Sequence, residues 1–196
     1  MSKLLLLTVL AGLSLLVCLQ AQAAVITFDD LGVPVRTYLW PMPSGYAGVI
    51  WDTSWAAVDE DYPSGGYSTP HSGRCMAVNY AAADAQWFDF GAPVTFDGAW
   101  FARATGSIST SKVKLSDNLG DTTGWLTLTD APQFLGPSWA GVTRITVNRD
   151  PYGWFTMDDV TYNEGSGGNG SPELSTWMLL ACSGLAGLAL WRRRKA

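Results

Sequence analysis

Apolar and polar positions alternate with a period of two along several short stretches of the chain. In Lys112-Val113-Lys114-Leu115 and Arg144-Ile145-Thr146-Val147 the apolar members share one face and the polar members the other, as in a strand with one buried side. Short runs rich in β-branched and aromatic residues, divided by Gly, Pro, Asp and Ser clusters, predict strands over Val25–Phe28, Gly48–Trp51, Arg74–Asn79, Gln86–Phe90, Thr95–Ala102, Lys112–Ser116, Trp125–Thr129, Val142–Asn148 and Trp154–Tyr162. No fixed period recurs, which excludes propellers and solenoids. The expectation is an all-β body over residues 24–163, a single jelly-roll-like β-sandwich on one core, flanked by an N-terminal signal-peptide helix and a C-terminal transmembrane helix.

The pattern changes at both ends. Residues 1–23 read as a signal peptide: Lys3 precedes an apolar run from Leu4 to Leu19, and Ala21-Gln22-Ala23 supplies the small-x-small site at which signal peptidase cuts. Residues 164–171, Glu164-Gly165-Ser166-Gly167-Gly168-Asn169-Gly170-Ser171, have the composition of a flexible linker. After Pro172-Glu173 the uncharged stretch 174–191 would rise roughly 27 Å as a helix, enough to cross a bilayer's hydrocarbon core. The basic tail 192–195, Arg192-Arg193-Arg194-Lys195, would then stay on the cytoplasmic side, with Trp177 and Trp191 near the two interfaces.

The segment 172–196 resembles the PEP-CTERM sorting signal of Gram-negative bacteria, on Pro172, Glu173 and Leu174, the following apolar run and the cluster Arg192, Arg193 and Arg194. Leu174 stands where the family usually has a second Pro. The resemblance implies recognition by an exosortase, a polytopic membrane peptidase, and removal of the tail. It further implies an inner-membrane-anchored precursor, and then a place on the cell surface or in the extracellular matrix of a bacterium that makes exopolysaccharide.

Charge narrows the partners of the body. Of the 12 basic residues, Lys3 and the four of the C-terminal tail lie outside it, which leaves seven against sixteen acidic ones once Glu173 is set aside. Such a body repels phosphate backbones and excludes nucleic acid as a partner. Cys18 and Cys182 fall in the two apolar ends, so the body holds only Cys75, read as a small buried hydrophobe, and forms no internal disulfide.

Within the body, Ile26-Thr27-Phe28-Asp29-Asp30-Leu31, Pro43-Ser44-Gly45-Tyr46-Ala47-Gly48-Val49-Ile50-Trp51, Ser72-Gly73, Phe96-Asp97-Gly98-Ala99 and Phe155-Thr156-Met157-Asp158-Asp159-Val160 follow one another in an order that resembles a family of exported jelly-roll sandwiches related to carbohydrate-binding modules. That resemblance implies the fold, in some members a structural calcium, and in some a display of aromatics to sugars.

Two constellations could carry this chemistry. Asp29 and Asp30 on the opening strand and Asp158 and Asp159 on the closing one could come together across neighbouring strands, where calcium would turn their repulsion into a cross-link. Strand parity opposes a single site: with Ile26, Phe28, Phe155 and Met157 facing inward, Asp30 and Asp159 share their side and Asp29 and Asp158 lie opposite. The second constellation is the crowd of Trp40, Tyr46, Trp51, Trp55, Tyr62 and Tyr67, from which Trp40 and Trp55 are the candidates to stack on sugar rings, with Asp59, Glu60, Asp61 and Asn79 as partners for hydroxyls.

Catalysis has little support, because His71 is the only His, sits in the turn-like Thr69-Pro70-His71-Ser72-Gly73, and no pair of buried carboxyls is evident. The expected protein is therefore non-enzymatic and exported, associated with exopolysaccharide and able to bind polysaccharide. The competing expectation is a structural or adhesive protein that binds no sugar and is held as a type I single-span membrane protein.

Overall fold

In the computed structural model, residues 23–63, 70–80, 84–104, 111–150 and 153–164 are described. The signal peptide up to Gln22, the linker beyond Glu164 and the whole sorting segment 172–196 lie outside the described residues. Among the described residues no helix is long and apolar enough to cross a membrane.

The described chain is all-β and antiparallel, with only two short 3-10 turns, Asp29–Leu31 and Tyr46–Gly48. Its strands are β1 (Ala23–Ile26), β2 (Tyr38–Leu39), β3 (Ile50–Trp51), β4 (Trp55–Asp59), β5 (Cys75–Asn79), β6 (Ala85–Arg103), β7 (Lys112–Asp117), β8 (Leu126–Thr127), β9 (Gln133–Leu135), β10 (Trp139–Arg149) and β11 (Phe155–Glu164). They join in the order β2-β4-β5-β11-β6-β10-β7-β8, with β1 on β11 and β3 and β9 on β6.

The period-two stretches form strands as their pattern requires: Val113, Leu115, Ile145 and Val147 are all fully buried, and their polar neighbours face outward. Strand β6 spans what the sequence suggests as two strands, 86–90 and 95–102. Its first half pairs β3 and β10, and its second half pairs β11 and β9. The two halves of the sheet thereby share a strand, and one core collects Phe88, Leu115 and Ile145 from one half with Ala57, Ala77, Phe101 and Met157 from the other. This is the sandwich expected from the pattern.

A change of phase inside β6 makes the double membership possible. Phe88, Phe90, Val94 and Phe96 point inward at even positions, whereas Ala99 and Phe101 do so at odd ones. The switch falls at Gly98, whose φ is 143° and whose added Cβ would lie 2.6 Å from both the Gly136 Cα and the Leu135 carbonyl oxygen. Only glycine fits so close a backbone approach in that conformation.

Strand β4 was absent from the sequence expectation because it does not alternate; all five of its residues are buried. Its inward residues Trp55 and Ala57 join the main core. Its outward residues Ala56 and Val58 meet Met76 and Val78 of β5 in a second, smaller cluster, against which Tyr62 and Tyr80 pack.

Candidate functional site

The acidic doublets do not sit on strands in the expected way. Strand β1 stops at Ile26, and Phe28, buried with φ of 65°, turns the chain into the 3-10 turn that carries Asp29 and Asp30. On β11, Asp158 pairs Trp100 while Thr161 pairs Gly98, so three residues advance on β11 against two on β6. The extra residue is Asp159, at φ of 46°. This bulge re-aims its side chain and cancels the parity argument, since Asp158 and Asp159 now both reach the segment His71–Cys75.

That segment is fastened by three carboxylates. Asp158 Oδ2 accepts the backbone N–H groups of His71 and Ser72 at 2.8 and 2.9 Å, and its Oδ1 accepts that of Asp159 at 2.8 Å. Asp159 Oδ1 accepts the Ser72 hydroxyl at 2.7 Å, and Oδ2 lies 2.5 Å from His71 Nδ1. Asp29 Oδ1 accepts the N–H groups of Arg74 and Cys75 at 2.7 and 2.9 Å. Gly73, at φ of 53°, leaves room for this last contact, because a Cβ there would fall 1.8 Å from Asp29 Oδ2.

Asp30 is not part of the group and accepts instead from the Tyr46 hydroxyl. Burial and that bond to Asp30 raise the Tyr46 pKa. Burial also pushes the Asp158 pKa up to about 7, against the N–H bonds it accepts, with the charge of Asp159 adding to the rise. The Cys75 thiol is raised to about 11, first by burial and then by the charges of Asp29 and Asp59. Cys75 is buried and free, as the sequence suggests.

The calcium expectation for Asp29, Asp30, Asp158 and Asp159 meets this geometry directly. Calcium takes six to eight oxygens, whereas the oxygens assembled here face N–H and O–H donors. Asp30 points elsewhere. Among the described residues no group of three or more His, Cys, Asp or Glu is placed to hold a metal ion. Asp29, Asp158 and Asp159 thus come together around the segment His71–Cys75, and Asp30 lies apart from them.

The candidate sugar-stacking pair also separates. Trp55 is fully buried in the core, with Nε1 donating to the Trp87 carbonyl at 2.9 Å, and presents no face to a ligand. Trp40 is 49% exposed. Its Nε1 donates to the Thr53 carbonyl, which fixes the ring at the edge of the sheet beside β2.

Three tyrosines continue from Trp40. The Trp40 ring lies 5.1 Å from Tyr80, Tyr80 lies 5.3 Å from Tyr38 at an interplanar angle of 20°, and Tyr38 meets Tyr62 edge-on at 5.4 Å. Tyr38, on the two-residue edge strand, is 41% exposed. Sequence reading passed over Tyr38 and Tyr80 because they lie outside the aromatic crowd or far along the chain. They meet only because β2, β4 and β5 are neighbours.

Of the expected hydroxyl partners, two are structural. Asn79 is buried, donating to the Gly153 carbonyl and accepting from the Phe155 N–H. Asp59 is buried as well. Burial alone would raise its pKa, but the N–H groups of Arg36 and Asp61 and the Arg74 guanidinium outweigh it and hold the carboxyl below its ordinary value. Arg74 also pairs with Glu60 and Asp61 at 2.9 Å each, so this charged cluster borders Tyr62.

A second row stands on the same sheet half. His71 stacks on Trp100 at 3.7 Å and 9°, and Trp100 meets the 47% exposed Phe134 at 5.4 Å. The segment between β4 and β5 thus lays Tyr62 against Tyr38 at one arm and His71 against Trp100 at the other. Compared with known proteins, the chain matches no family model and no curated protein.

Proposed function

We propose that the protein is a non-catalytic, exported carbohydrate-binding protein of a bacterial surface or exopolysaccharide matrix, with a jelly-roll-type body. In this reading an exosortase-type system recognises the tail around Pro172, Glu173 and the Arg192 cluster and releases the body from the inner membrane.

The observation that carries the binding reading is the row Trp40, Tyr80, Tyr38 and Tyr62 at the sheet edge. Exposed large aromatics cost solvation unless something covers them, and the apolar faces of pyranose rings stack on such side chains while tyrosine hydroxyls meet sugar hydroxyls. The rings are held by strands and by one another, so little side-chain entropy remains to be lost on binding.

The test is a titration of the full chain, purified in mild detergent, with neutral oligosaccharides, followed by tryptophan fluorescence. A saturable change that disappears in Trp40→Ala and in Tyr38→Ala supports the reading. Binding unchanged in both variants, or no response to any sugar, overturns it.

A further inference from the structure

We propose that the outer face of β6, β10, β7 and β8 is a second binding surface, and that its ligand is an acidic polysaccharide. It uses none of the residues of the Trp40 row. The face is built from the outward members of the alternating strands: Trp87 and Asp89 on β6, Arg144, Thr146 and Asn148 on β10, and Lys112, Lys114 and Ser116 on β7.

The strand register sets these side chains in transverse rows. Trp87 lies opposite Thr146, and Thr146 opposite Ser116; Asn148 lies opposite Lys114, and Asp89 opposite Arg144. Asn148 donates to the Ser116 hydroxyl at 3.0 Å. Each end of the face has an indole with a cation over it: the Arg144 guanidinium lies 4.2 Å from the Trp87 ring, and Lys114 Nζ lies 5.1 Å from the ring of Trp125, which is 49% exposed. From β6 to β8 is three strand spacings, about 14 Å, the reach of a short oligosaccharide.

Charge selects the ligand. Lys112, Lys114 and Arg144 are three of the seven cations in a strongly acidic body, and they share one face. Arg144 is compensated by Asp89 at 3.1 Å. Among the described residues no carboxylate lies within ion-pair distance of Lys112 or Lys114, so their ammonium groups remain available to a ligand's anions. Because the body as a whole is acidic, attraction for an anionic chain is confined to this strip. A sugar acid chain supplies both halves of the match, ring faces for the indoles and carboxylates for the cations.

Calorimetric titration of the full chain in detergent with alginate oligosaccharides, beside neutral maltodextrins, tests this. The expected result is alginate binding that weakens with added salt, falls roughly tenfold or more in Lys114→Glu and in Trp125→Ala, and survives in Lys114→Arg and in Val35→Ala, at an exposed position outside both rows. Trp125 is exposed and Lys114 half-buried, and unchanged melting temperatures would show that the fold persists. Absence of alginate binding, equal binding of maltodextrin at this face, or alginate affinity untouched by Lys114→Glu overturns the proposal. Loss in Trp40→Ala alone would assign acidic sugar to the other row and also overturn it.

Discussion

Asp158 shows how much one carboxylate can be asked to do. It is buried and holds two N–H groups of a neighbouring segment, and burial raises its pKa to about 7. The folded state therefore keeps a proton that the unfolded chain has already released at lower pH. Stability due to this group is largest at acidic pH and declines as pH rises toward about 7. Asp59 acts in the opposite sense, stabilising above the ordinary carboxylate pKa and losing that contribution as pH falls through its own depressed value. Asp158→Asn, which cannot ionise, should shrink the difference in melting temperature between about pH 5 and pH 8 relative to wild type. An unchanged difference would show that Asp158 ionises without penalty. Because Asp29, Asp158 and Asp159 are satisfied by N–H and O–H donors, excess EDTA should leave the melting curve where it is; a marked drop would place an ion among them. The sequence makes the two doublets visible and suggests their approach. It conceals the outcome, since nothing in the type of Phe28 announces its positive φ, and Asp159, a type that tolerates that region, sits within a run that otherwise reads as a strand.

At the level of elements, legibility follows burial. Strands β7 and β10 have one wet face, so their alternation is plain in the sequence. Strand β4 is covered on both faces and reads as a featureless run, WAAVD, which is why Trp55 could be taken for a surface ring. The two-residue strands β2 and β3 carry too few positions for any period. Strand β6 reads as two pieces, 86–90 and 95–102, because Gly91 and Pro93 interrupt the run; the flip of its inward phase at Gly98 falls inside the second piece. Gly98→Ala should destabilise the fold by about 2 kcal/mol or more in denaturant unfolding, since its Cβ would meet the backbone of Leu135 and Gly136. Wild-type stability in that variant would mean that β6 and β9 can separate at no cost, contrary to the account of the phase switch.

For the whole molecule, the fold places aromatic rows on the outside of a core already well supplied with rings. The main core contains Phe28, Trp51, Trp55, Phe88, Phe96, Phe101 and Phe155. Trp40 and Tyr38 are surplus to that core, and their exposure is what the carbohydrate reading explains. The reading of the tail has its own test: intact-mass measurement of the protein from its producing cells should find a species lacking the apolar run and the Arg192 cluster. A mature species that retains Leu180 to Ala196 would favour a simple anchor. The central claim is tested most directly by electrophoresis of the full chain, in mild detergent, through gels containing the producing cell's exopolysaccharide. The account predicts that wild type is retarded and that the Trp40→Ala, Tyr38→Ala double variant, melting at the same temperature, runs substantially faster. Equal mobility of the two proteins, whether both are retarded or neither is, would contradict it.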